Sequence, residues 1–145
     1  MTETAETIAA RVGQEMHGRD PAPQALGIKM LEMRPGMVRL SMTVRPDMLN
    51  FHATCHGGII YALADSAFGY TCNSHNKITV AQHCSITYLA PAKVGDVLIA
   101  TAEERHRASR TGITDITVTD QNGRLIAIFR GHFGFVRCCS TGLQR

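Results

Sequence analysis

Residues 57–73 read GGIIYALADSAFGYTCN, an almost unbroken apolar run that is too long for a typical strand and rich in Ala and Leu. The run predicts a buried helix. Gly57-Gly58 opens it, Gly69 lies within it, and it ends near Asn73, a residue that accepts the left-handed backbone angles common where helices stop. A helix that is apolar nearly all round needs cover on every side. A sheet must wrap one side and something else the other, a second copy of the chain being one candidate.

Outward from this helix the pattern changes to strands. Residues 79–89, 97–107, 111–119 and 124–136 are rich in Val, Ile, Thr and Phe and predict a meander of about four strands. Residues 91–96 make one connection and 120–123 another, the second being a strong hairpin signal because Asn122-Gly123 accepts positive φ. Such short connections imply antiparallel pairing. On the other side of the helix, residues 26–33 and 37–44 flank Arg34-Pro35-Gly36, which favours chain reversal and predicts a hairpin. Further back, residues 3–17 set Ile8, Val12 and Met16 four apart with Ala5 and Ala9 beside them, one apolar stripe on a helix that Gly18 is expected to end. Residues 20–23 read as a loop. The order is an α+β plan, one sheet covering one long helix with an extra N-terminal helix, expected as a single domain over residues 1–145.

At 145 residues, 44% of them apolar, the chain can bury a core, yet a domain this size hides only about 70% of its unfolded surface, so association with further copies would add burial. A formal charge of +3, with no basic residues interleaved with stacking aromatics, argues against nucleic acid as a partner. No window approaches the roughly 18 apolar residues of a membrane span, and the N-terminal stretch with Glu3, Glu6 and Glu15 lacks the layout of a secretory signal. Cys55, Cys72, Cys84, Cys138 and Cys139 form an odd set without metal-type pairing, better explained as reduced thiols than as a disulfide framework. A cytoplasmic chain is expected.

Chemistry is concentrated where the loop Asn50-Phe51-His52-Ala53-Thr54-Cys55-His56 meets the helix start. Unpaired N–H groups and the positive end of the helix dipole can polarise a carbonyl oxygen there, and glycine admits a substrate close to the backbone, so the Gly57 N–H is a candidate oxyanion donor. Asp65 is the only Asp, Glu, Lys or Arg between His56 and Lys77 and sits among Leu63, Ala64, Ala67 and Phe68. An unpaired buried carboxylate is costly. It is either satisfied structurally or retained for function, and the nearby Gly-Gly start tips the reading towards function.

His52 and His56 are four apart, but they precede the helix and have no acidic or Cys-x-x-Cys partner, so no metal is expected. A Cys55 nucleophile has no supporting motif. His56 reads as a group that orients the loop or substrate and Asn50 as one that supports the turn or binds water, with a purely structural role open for each. Arg105, Arg107 and Arg110 read more readily as a solvated hairpin end than as an anion site. Met30, Met33, Met37, Met42 and Met48 read as core filling. No phosphate loop, nucleophile elbow or dinucleotide fingerprint is present in the sequence.

Asn50, then His56-Gly57-Gly58, then Leu63-Ala64-Asp65-Ser66-Ala67-Phe68, followed in order by Ile86-Thr87-Tyr88-Leu89-Ala90-Pro91 and residues 127–131, resemble the hotdog-fold thioesterases of the phenylacetate-degradation (PaaI) type. The resemblance implies an antiparallel sheet wrapped around one helix, two protomers joining their sheets side by side, and a homotetramer built as a dimer of dimers. It implies an acyl-CoA substrate, ring-hydroxylated phenylacetyl-CoA being favoured, and no cofactor. Carried over residue by residue, Asp65 becomes nucleophile or general base, the Gly57 N–H polarises the thioester carbonyl, and Asn50 and His56 are auxiliary groups. Gly58, Gln82 and His83 are further candidates for substrate binding, Ser85 is open, and Arg107 and Arg110 could meet the CoA phosphates. An acyl-CoA hydratase or dehydratase with His56 as base, and a non-catalytic acyl-CoA-binding module, are the alternatives. Gly57 and Asp65 are eight residues apart, about 12 Å along one helix at about 1.5 Å per residue. One thioester cannot touch both within a chain, so a site shared between two protomers is expected.

Overall fold

The computed structural model describes residues 2–136; Cys138 and Cys139 lie outside them. Helix α1 (Ala5–Arg19) starts at Thr4, whose hydroxyl accepts the Thr7 N–H at 3.2 Å, and it buries Ala9, Val12 and Gly13. It runs through Gly18 to Arg19, one residue past the expected end, because a glycine weakens a helix without breaking it. The expected loop at 20–23 is instead the start of a short helix, α2 (Pro21–Ala25). Pro21 stands at its first position, where the missing N–H would have had no partner anyway.

Strands β1 (Lys29–Arg34) and β2 (Met37–Thr43) form the expected hairpin, and residues 26–28, read as part of its first strand, lie outside it. Helix α3 (Gly57–Asn73) has the bounds read from the apolar run. The remaining strands are β3 (Thr79–Tyr88), β4 (Val97–Arg107), β5 (Thr111–Thr119) and β6 (Leu125–Phe135). All neighbours pair antiparallel in the order β1-β2-β4-β5-β6-β3. Only β4, β5 and β6 form a meander. β3 pairs with β6 rather than with the strand that follows it, because α3 carries the chain from the β2 side of the sheet to the opposite edge.

The sheet wraps α3 with one face. Leu63, Ala64, Ala67 and Phe68 are buried against it, and Phe68 lies against Phe129 and Phe133 with ring centroids 5.9 and 6.4 Å apart. Gly131, between those two phenylalanines in facing, leaves the room Phe68 occupies, since a Cβ there would come within 2.5 Å of its ring. The helix is not covered all round. Gly58 is exposed, and Ala62, Asp65, Ser66, Gly69 and Asn73 are only half-buried, forming one stripe turned from the sheet. Strand β3 has β6 on one side and no strand on the other among the described residues. Such an unpaired edge is a template for a further strand.

Candidate active site

The loop before α3 is a tight, self-bonded turn. Asn50 Oδ1 accepts the N–H groups of His52 and Thr54 at 2.9 and 3.2 Å, its own N–H donates to the Thr54 carbonyl at 2.8 Å, and Ala53 takes a positive φ of 60°. Asn50 thus supports the turn. Backbone bonds from Cys55 to the Ala92 carbonyl and from His56 to the Met48 carbonyl, both 2.8 Å, pin the loop to the body. Cys55 is buried and its thiol is pushed up to about 11, the reverse of an activated nucleophile.

His56 is the N-cap of α3. Its Nδ1 accepts the Gly58 N–H at 2.9 Å, and its carbonyl accepts Ile59 and Ile60 at 2.9 and 3.2 Å. Of the first-turn amides, only that of Gly57 has no acceptor among the described residues. Gly57 borders a cleft of about 420 Å³ whose wall also includes Asn50, Ile60, Tyr88, Leu89 and Pro91. Gly58, the other glycine, gives its N–H to the cap.

Asp65 lies two turns further along and is not on that wall. Its carboxylate has no hydrogen bond or ion pair among the described residues, and burial raises its pKa above the ordinary 3.8. Tyr61, one turn earlier, packs edge-on against Phe129 at 5.2 Å and neighbours the Cys84 thiol. Burial, with the neighbouring Cys84 acting in the same direction, pushes the Tyr61 phenol up to about 12. Burial also raises the Cys84 thiol, on which the Asp65 charge acts in the same direction.

The raised Asp65 pKa has a signed consequence for stability. The folded chain holds the proton more tightly than the unfolded one, so the stabilisation is fully present below 3.8 and is lost as pH climbs through the raised folded value. Asp65→Asn is therefore expected to melt above the native protein at pH 7, the gap closing as melts are repeated down to about pH 3.5. A Tm difference independent of pH would show that burial does not hold this carboxyl.

Strand β3 sorts the remaining candidates. Phe129, Gly131 and Phe133 of β6 face α3, so their partners Ile86, Cys84 and Ala81 do too, and Tyr88 with them. A bulge between Ala81 and His83 puts Gln82 and His83 on the outer face, Gln82 lying across Gly134 and His83 edge-on to His132 at 5.7 Å. Ser85, opposite Arg130, faces outward as well. These three are turned away from the Asp65 side of the strand. Arg107 is held by the fold: Nη2 donates to the Cys72 carbonyl at 2.7 Å, Nε to Glu104 at 2.9 Å, and the guanidinium covers Phe133 and Phe135 at 5.0 and 5.2 Å. Arg105 pairs with Asp115 and Glu103, and Arg110 is exposed in the β4–β5 turn. Among the described residues, no three His, Cys, Asp or Glu side chains gather as metal ligands, and no helix is long and apolar enough to cross a membrane.

Tyr61, Cys84 and Tyr88 are the neighbours of the site that sequence reasoning did not single out. Alternation along β3 places 84, 86 and 88 on one face, which was a usable signal. The bulge that turns Gln82 outward was not visible.

Residues 52–127 match the family model described as the thioesterase superfamily. The acyl-coenzyme A thioesterase PaaI of Escherichia coli (strain K12) is 44% identical over 116 residues, covering 80% of this chain and 83% of that protein. The solved structure of the E. coli PaaI protein from the phenylacetic acid degradation operon superposes with a TM-score of 0.91 at 39% identity, over 92% of this chain and 97% of that one. A Streptococcus mutans protein solved bound to acetyl CoA superposes with a TM-score of 0.73 at 28% identity, over 75% and 88% of the two chains. The chain belongs to the thioesterase superfamily, with the hotdog fold, and within it to the acyl-CoA thioesterases of the PaaI type.

Proposed function

We propose that the chain hydrolyses aryl-acyl coenzyme A thioesters, phenylacetyl-CoA and its ring-hydroxylated forms above all, to the free acid and CoA. The observation that carries this reading is the pairing, on one helix, of a first-turn amide, Gly57, at a cleft with a half-buried carboxylate, Asp65, neither of them bonded to any of the described residues. The Gly57 N–H receives the thioester carbonyl oxygen and stabilises its developing charge. Asp65 either takes a proton from an attacking water or adds to the carbonyl carbon itself to form an anhydride that water then opens. In both routes the C–S bond breaks and CoA leaves as the thiolate.

The two groups come from different protomers in this reading, supported by the open stripe of α3 and the unpaired edge of β3. Two such dimers form the tetramer, in the cytoplasm. His56 contributes by holding Gly58 and the helix start, which commits Nδ1 and counts against the hydratase reading in which it is the base. Thiol release across a panel of acyl-CoA thioesters tests the proposal. A higher kcat/KM for phenylacetyl and hydroxyphenylacetyl than for straight-chain substrates is expected; no CoA release from any member would overturn it.

A further inference from the structure

The first peptide of α3 is held from outside the helix. Tyr88, the last residue of β3, donates its phenolic hydrogen to the Gly57 carbonyl at 2.7 Å. Its ring packs so closely on Gly57 that a Cβ there would lie 3.0 Å from Cζ and 3.1 Å from Oη. The helix does not need this bond, because the Gly57 carbonyl already serves the N–H four residues on, and Tyr88 uses the second lone pair.

What the contact does provide is placement. The Gly57 N–H has no acceptor among the described residues, but it shares a planar peptide with the His56 carbonyl, which the Ile59 and Ile60 amides hold, so its direction is set by the helix start. Two consecutive glycines leave the backbone on either side of the Gly57 Cα free to shift, and the Tyr88 ring and hydroxyl limit that shift from the cleft side. An oxyanion donor, by contrast, must sit about 2.7–3.1 Å from the developing charge, and a displacement of about 1 Å costs on the order of 100-fold in rate.

We infer that Tyr88 is a positioning residue: by anchoring the Gly57 carbonyl and packing against its Cα, it fixes where the helix start, and with it the Gly57 N–H, stands beside the cleft. The inference rests on the thioesterase reading of the site. Tyr88 acts through Gly57 and takes no part in bond making. Burial raises the phenol's pKa, which keeps it a hydrogen-bond donor across the neutral range.

Tyr88→Phe isolates the hydroxyl, because the ring and its packing on Gly57 remain and the side chain is already 48% exposed. With phenylacetyl-CoA, kcat is expected to fall about tenfold with KM within about twofold, the pattern of a contact that matters only in the transition state. In ¹⁵N-labelled protein the order parameters of the Gly57 and Gly58 amides, which flank the anchored Cα, should fall measurably below the rigid range of about 0.85. A tyrosine that merely stabilised the fold would lower Tm and leave both readings unchanged. The inference is overturned by a kcat within about twofold of the native enzyme while Asp65→Asn is inactive in the same assay, or by an unchanged Gly57 order parameter. Native protein that released no CoA would sink the thioesterase reading, and the relaxation measurement would still decide whether Tyr88 holds Gly57.

Discussion

Asp65→Asn is expected to lower kcat on phenylacetyl-type CoA thioesters by roughly two orders of magnitude or more, with the fold and the assembly intact. The amide has the shape of the carboxyl but neither its basicity nor its nucleophilicity. The substitution breaks no bond among the described residues, since none of them hydrogen-bonds or pairs with this carboxylate, and burial already disfavours its charge. Loss of activity would thus report chemistry rather than unfolding. The same burial predicts that native activity declines on the acid side as pH falls through a value above 3.8, because base and nucleophile are both the ionised form. A variant with near-normal kcat would remove Asp65 from the catalytic role.

The second large effect is recovery of activity in hybrids. α3 is one unbroken helix from Gly57 to Asn73, so the eight residues from Gly57 to Asp65 span about 12 Å within a chain. Two antiparallel α3 helices related by a twofold axis would bring Gly57 of one near Asp65 of the other and create two equivalent sites. One partner in the test carries Asp65→Ala and the other Gly57→Pro, which deletes the donor N–H. His56, at φ −60° and ψ 133°, already has the extended backbone that a residue before proline requires. The proline ring also crowds Tyr88, adding to the loss at that site. Each parent should be inactive. In the hybrid dimer one site receives both substitutions and the other neither, so activity near half that of the native dimer, about one intact site in two, is expected in the co-purified species. Folded hybrids without activity would place both groups of a site in one chain.

Much of this geometry is legible in the chain itself. The apolar run 57–73 set the bounds of α3 without error, because a helix of this composition is decided by neighbours three and four residues away. The later strands likewise fall within a few residues of their expected limits, since side-chain alternation and Asn122-Gly123 are local signals. Asp65 stood out for the same reason, as a lone charge in an apolar helix. Pro21 is the exception: it reads as part of a loop, but proline also suits a first helical turn, and it opens α2.

Contacts between distant parts of the chain left no such trace. β3 lies beside β6 because α3 has first to cross the sheet, a matter of three-dimensional closure. The bulge in β3 turns Gln82 and His83 outward, and one extra residue in a strand reverses facing without any marked change in composition. Arg107 reads as a surface cation until the Cys72 carbonyl, Glu104 and two phenylalanine rings are seen to surround it. Tyr88 is separated from Gly57 by 31 residues, and only the packing of the strand end on the helix start brings its hydroxyl to that carbonyl. Sequence by itself determined the long helices and the strands to within a few residues, the lone carboxylate and the glycine helix start, because each depends on near neighbours. Tertiary structure alone decided which side chains face them and which first-turn amide is left unbonded, because burial and hydrogen-bond partners exist only once the sheet has closed on the helix.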